Sequence, residues 1–155
     1  MSEKKLAIIA TKGTLDWAYP PFILASTAAA LGYETEVFFT FYGLQLLKKK
    51  LDLKVTSLGN PGMPMPMPMP VLVQALPGMQ SMMTMMMKKK MASKGVASLE
   101  DLRELCVEAE VRMVACQMTV DLFEMNPSEF IDGIEFGGAA TFFEFAGESD
   151  ICLYI

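Results

Sequence analysis

The sequence predicts an α/β protein, a three-layer α/β/α sandwich around a mostly parallel sheet of about five strands. Three observations carry that class. Short, continuously apolar runs such as Leu6-Ala7-Ile8-Ile9-Ala10 suit strands buried on both faces. Helix-length segments separate these runs along the whole chain. Residues 6–39 alone spell strand, helix, strand, a β-α-β unit whose two strands lie parallel.

The first strand ends at Thr11-Lys12-Gly13-Thr14. Pro20-Pro21 suit a first helical turn, which places a helix over residues 22–31 with Gly32 as its stop. Residues 34–39 form the second strand, 41–47 a short helix, and 54–58 a third strand. The Met-Pro alternation at 63–70 excludes both helix and central strand and reads as an extended, polyproline-like loop. A helix resumes at 79–91. Met79, Met82, Met83, Met86 and Met87 share one face there, with Gln80, Ser81 and Thr84 opposite. Ser98 and Asp101 resemble a capping box, opening a helix whose stripe holds Leu99, Leu102, Cys106 and Ala109. A strand at 111–115, a short helix at about 119–124, an Asn126-Pro127 break and a helix from Gly137-Gly138 through Phe145 follow. Ile151-Cys152-Leu153-Tyr154-Ile155 closes the chain as a buried apolar strand.

At 155 residues the chain is the size of one domain, 1–155, carrying a Met/Pro-rich insert at about 59–91. A net charge of −5 argues against a nucleic-acid partner. There is no histidine, so Cys-His dyads, Ser-His-Asp triads and imidazole bases are excluded. The three cysteines, 106, 116 and 152, form no CxxC pair, which argues against a disulfide framework or structural zinc; no metal and no cofactor is expected. The opening residues lead directly into a strand, so the expectation is a cytoplasmic protein.

Cys116 is the candidate catalytic residue. It stands where the apolar run Met113-Val114-Ala115 meets Gln117 and the helix cap expected at Thr119, a place where free N–H groups and a helix dipole favour a thiolate. The competing reading is a space-filling thiol at a strand end. Lys12 and Gly13 lie at the edge where open α/β sheets bind ligands; Lys12 either supplies charge near Cys116 or simply solvates its loop. Asn60 and Gln117 complete the candidate substrate-binding set. Cys106 reads as core and Cys152 as part of a buried strand. The methionine segment has three readings: a soft-metal site, a surface that rests on a membrane through residues 63–91 with Lys88, Lys89 and Lys90 at the headgroups, or an adaptable protein-contact face. The last is favoured.

Four strings together, Thr11-Lys12-Gly13-Thr14-Leu15-Asp16, Phe38-Phe39-Thr40-Phe41-Tyr42-Gly43-Leu44, Gly59-Asn60-Pro61-Gly62-Met63-Pro64-Met65-Pro66 and Ala115-Cys116-Gln117-Met118, carry a family likeness. The chain resembles the DsrE/DsrF/DsrH-like family, in its DsrE-like branch with a Met-Pro insert, sometimes labelled peroxiredoxin-like. The resemblance covers nearly the whole chain. It implies a DsrEF-like sandwich, homo-oligomers, and sulfur transfer or carriage in which Cys116 takes up sulfane sulfur or a thiosulfonate group. The implied partners are rhodanese-like or small sulfur-carrier proteins. The alternative is a non-catalytic interaction or membrane-peripheral module that works through its methionines.

Overall fold

The computed structural model describes residues 3–56 and 69–155. Its centre is a five-stranded sheet of β1 (Lys5–Ala10), β2 (Glu34–Phe39), β3 (Arg112–Cys116), β4 (Glu135–Gly137) and β5 (Ile151–Tyr154), in the order β4-β3-β2-β1-β5. Every pairing is parallel, and the expected sandwich is present. All five strands therefore end at one edge. Helices α1 (Leu15–Ala30) and α4 (Leu99–Glu108) pack together on one face, where Ile8, Phe22, Phe39 and Ala115 join the larger core. Helix α6 (Ala139–Ala146) covers the other face, its Phe142 and Phe145 packed with Ala7, Phe38, Val114 and Cys116. Strand alternation explains the division: successive side chains leave a strand on opposite faces, so Ala115 and Cys116 enter different cores.

Several elements differ from the sequence reading, each for a physical reason. Helix α1 starts at Leu15, ahead of Pro20 and Pro21, because Lys54 O accepts the Leu15 N–H and Thr14 O the Ala18 N–H, closing a turn before the prolines arrive. Residues 54–56, the described part of the expected third strand, join no sheet. The Val55 N–H donates to Thr84 Oγ1 at 3.0 Å and Val55 O accepts from Gln80 Nε2 at 3.1 Å. Those polar side chains come from α3 (Met79–Ser93) and rotate its buried face: Met83 and Thr84 are inside, while Met82, Met85 and Met86 are exposed. An unpaired buried backbone demands partners more strongly than a methionine demands burial. A four-residue helix, α2 (Val71–Gln74), precedes α3, and the segment expected as a helix at 41–47 is a 3₁₀ helix (Phe41–Leu47). Most of the Met-Pro alternation lies outside the described residues.

Strand β4, absent from the sequence reading, supplies the fifth strand; three residues without apolar alternation offer no strand signal. Strand β5 is not buried. It forms the sheet edge beside β1, with Ile151, Cys152 and Tyr154 exposed. Ser98 does cap α4, its Oγ accepting the Asp101 N–H at 3.1 Å. Among the described residues no helix is long and apolar enough to cross a membrane.

Candidate functional site

Cys116 is the last residue of β3 and the N-cap of α5 (Gln117–Leu122). The helix begins two residues before the sequence reading placed it, so the thiol itself, and not Thr119, holds the cap position. The side chain enters the α6 face beside Phe38 and Val114, and the residue is only 4% exposed. Burial pushes such a thiol upward, yet here the balance goes the other way. The hydroxyl and N–H of Thr119, the hydroxyl of Thr40 and the N–H of Met118 together hold Cys116 below the usual thiol value of 9.0. The N–H groups do not close a capping hydrogen bond on the sulfur as it stands. They face it and favour its charged form, and a thiolate would draw them in.

Thr119 is fully buried, and its hydroxyl is the centre of the arrangement. The Phe41 N–H donates to Thr119 Oγ1 at 3.2 Å, and Thr40 Oγ1 lies 3.3 Å away. With an N–H already feeding its lone pair, the Thr119 hydroxyl is free to turn its own proton toward sulfur or toward Thr40. Phe41 adopts a left-handed backbone (φ 49°), an unfavourable conformation for an aromatic residue, which its N–H bond to Thr119 helps to hold. Helix α5 has only six residues, so local donors rather than a long helix dipole favour the thiolate.

The other candidate residues do not converge on the sulfur in this way. The Lys12 ammonium lies over the Trp17 ring, 3.4 Å from its centroid, in a cation–π contact, and is not among the groups that act on Cys116. Gly13 packs against the 3₁₀ segment; a Cβ there would stand 2.5 Å from Tyr42 O, so the glycine serves a close approach of two loops. Gln117 is exposed, and its Nε2 donates to Asp121 Oδ1 at 2.8 Å on the outer face of α5. Asn60 lies outside the described residues. Thr40 and Thr119 were missed as ligands of the sulfur. Thr119 was visible as a polar residue three places past Cys116, but Thr40 reaches the site only through the pairing of β2 with β3.

The remaining cysteines divide clearly. Cys106 is fully buried, its Sγ donates to Phe22 O at 3.4 Å, and burial pushes its thiol up to about 11. It belongs to the α1 and α4 core, across the sheet from Cys116, so the sheet blocks it from serving as a resolving thiol. Cys152, expected inside a buried strand, is exposed on β5. All three cysteines are unpaired. Among the described residues no cluster of acidic or cysteine side chains has metal-binding geometry.

The model of the DsrE/DsrF/DrsH-like family matches residues 2–154. The chain belongs to this family. It is 79% identical to the sulfur carrier protein DsrE2 of Allochromatium vinosum over the full length of both chains. It is also 31% identical to the uncharacterized protein YrkE of Bacillus subtilis, with 98% of this chain and 97% of that one covered. Among solved structures it superposes on the ychN protein from E. coli with a TM-score of 0.56 over 98% of this chain and 99% of that one. At 12% identity that likeness concerns the fold alone.

Proposed function

We propose that the chain is a sulfur carrier in which the Cys116 thiolate accepts a sulfane sulfur and hands it to a partner's thiol. The observation that carries this reading is a nearly inaccessible thiol whose charged form is favoured by four hydroxyl and amide donors, without histidine. On loading, the thiolate attacks the outer sulfur of a donor persulfide. The new bond joins Cys116 Sγ to that sulfur, the donor's S–S bond breaks, and the donor leaves as a thiolate with the electron pair. Discharge is the same exchange in reverse. A partner thiolate takes the outer sulfur and Cys116 departs as a thiolate. The donors therefore act twice, because a stabilised thiolate is also the better leaving group. Rhodanese-like proteins and small sulfur-carrier proteins fit the partner role, and a reducing cytoplasm suits three unpaired cysteines. The exposed edge β5 offers a contact for the homo-oligomer.

Intact-mass measurement after exposure to polysulfide, thiosulfate or tetrathionate tests this, in a Cys152→Ser background that removes the exposed thiol. Uptake of one sulfur, or of a thiosulfonate group from tetrathionate, is expected with Cys116 present and absent in Cys116→Ser. Uptake that survives Cys116→Ser, or no uptake from any donor, rejects the assignment. A second reading, an interaction module, rests on the exposed Val71, Leu72, Leu76, Met82, Met85 and Met86 of α2, α3 and their link. Co-sedimentation with anionic liposomes decides whether that surface meets lipid. Protein that stays in the supernatant excludes the membrane.

A further inference from the structure

We propose that the first turn of α6 is a gate over Cys116, with Phe142 as the residue that sets how fast a sulfur donor reaches the thiolate and Gly138 as its hinge. This deepens the carrier reading and rests on it. Loading requires a donor to approach Cys116 Sγ along the axis of its own S–S bond, and a residue only 4% exposed does not admit one. The cover comes from α6. Gly137 pairs with Cys116 across β4 and β3, and the place its side chain would fill is taken by Thr141, whose Oγ1 stands 2.7 Å from where a Cβ would be. One residue on, Phe142 packs against Phe38 with ring centroids 5.4 Å apart and shares the buried cluster of Phe38, Val114 and Cys116. One helical turn thus roofs the end of β3 and its neighbours on both sides.

The two ends of α6 are held unequally. At its C-terminal end the Lys5 ammonium lies over the Phe145 ring at 5.6 Å and bonds Glu148 at 3.1 Å. The Lys5 N–H donates to Asp150 Oδ2 at 2.8 Å, and the Asp150 N–H donates back to Lys5 O at 3.0 Å. Ahead of α6, β4 is fixed through Glu135, which binds Arg112, itself bonded to Glu36 at 2.7 Å. Between these anchors the chain passes through Gly138, the N-cap, which makes no side-chain cap and has open space where a Cβ would stand. Ala139 and Ala140 are exposed and Phe143 is 67% exposed, so burial of the Phe142 ring is the main hold on the turn above the sulfur. Release of that ring lifts the turn about Gly138, while Phe145 and the donors from Thr119 and Thr40 stay in place. Closed, the turn keeps water-borne thiols from the loaded sulfur; open, it admits the donor or the acceptor.

The test measures alkylation of the full-length Cys152→Ser protein by iodoacetamide across pH, with Cys116 and Cys106 read separately by peptide mass. The pH midpoint reports how readily Cys116 ionises, and the limiting rate above it reports access to the thiolate. Phe142→Ala is expected to raise that limiting rate about 10-fold or more, and polysulfide loading in proportion. Gly138→Ala fits the extended backbone there (φ −98°) and stiffens the hinge, so it should slow both about 2-fold to 5-fold. Cys106, across the sheet, reports unfolding of the whole domain and should not follow Cys116 in either variant. An unchanged limiting rate in Phe142→Ala, a faster reaction in Gly138→Ala, or Cys106 reacting in step with Cys116 would each overturn the gate. The last would mean that global unfolding exposes the sulfur. The two readings fail separately: sulfur uptake indifferent to both variants takes down the gate alone, whereas faster alkylation of Phe142→Ala with no uptake in any variant takes down the carrier.

Discussion

Cys106 and Cys116 are ten positions apart in the chain, buried to 0% and 4% exposure on opposite faces of the same sheet, and their thiols are driven in opposite directions. Cys106 has an acceptor, Phe22 O, which bonds the protonated thiol, and burial raises it to about 11. Cys116 has donors, from Thr119, Thr40 and Met118, which bond the thiolate. Loss of water is common to both; at Cys106 the Ser26 backbone alone works against it, where Cys116 has four donors. Glu36 shows a third outcome. It is fully buried on the Cys116 face with Arg112 bonded to one carboxylate oxygen at 2.7 Å and, among the described residues, no partner on Oε1. Burial pushes it up to about 7 against the pull of Arg112, with Glu135 and Glu34 adding to the push. One cation does not offset desolvation there, whereas four aimed donors do at Cys116.

The largest effect expected from this contrast is in alkylation. At pH 7, iodoacetamide should modify Cys116 about 100-fold or more faster than Cys106, read by peptide mass, since thiolate fractions differ by two or more orders of magnitude. Comparable rates would mean that the donors do not set reactivity. Next is the pH dependence of stability. The folded chain holds the Glu36 proton more tightly than the unfolded one, so its contribution is complete below about 4.5 and is lost as pH rises through about 7. On the order of 3 kcal/mol is at stake. Glu36→Gln should flatten that part of the curve in urea titrations, and an unchanged slope would remove Glu36 from the comparison.

Smaller, but aimed at the site, is Thr119→Val. Loss of the hydroxyl should raise the pH midpoint of Cys116 loading and slow loading at pH 7 about 10-fold, whereas Thr119→Ser retains both. A midpoint unmoved in Thr119→Val would show that the backbone donors suffice. The smallest is Cys106→Ala, expected to cost about 1 kcal/mol of stability in urea unfolding with no change in sulfur loading. Slower loading in that variant would connect the two faces of the sheet.

Much of the scaffold could be read from residue order because its signals are local. The apolar runs of β1 and β2, the Gly32 stop and the Ser98 cap each depend on neighbours within a few residues, and each is found where expected. Cys116 was legible for the same reason, as a thiol ending an apolar run. Elements held by distant partners were not. Residues 54–56 have a strand-like composition but satisfy their backbone on Gln80 and Thr84, and β4 is a strand only because β3 offers it a ladder. The face of α3 was misjudged on similar grounds: a period of 3.6 locates an apolar stripe but cannot show that a neighbouring loop will claim its polar residues. Lys12, readable from sequence either as charge near Cys116 or as a solvating loop residue, lies over Trp17, five residues on.

By itself the sequence determined the alternation of strands and helices, the exclusion of imidazole chemistry and the single thiol placed at a strand-to-helix junction. These follow from composition and short-range periodicity. Only the tertiary structure decided which buried thiol has its charged form favoured. Parallel pairing of β2 with β3 brings Thr40 to Thr119 across 79 positions, and strand alternation turns Cys116 to the face opposite the one that α4 covers with Cys106. Burial alone would have silenced both thiols. The difference lies in how many donors each one meets: the turn after Cys116 supplies Thr119 and Met118, and the fold adds Thr40 from a distant strand.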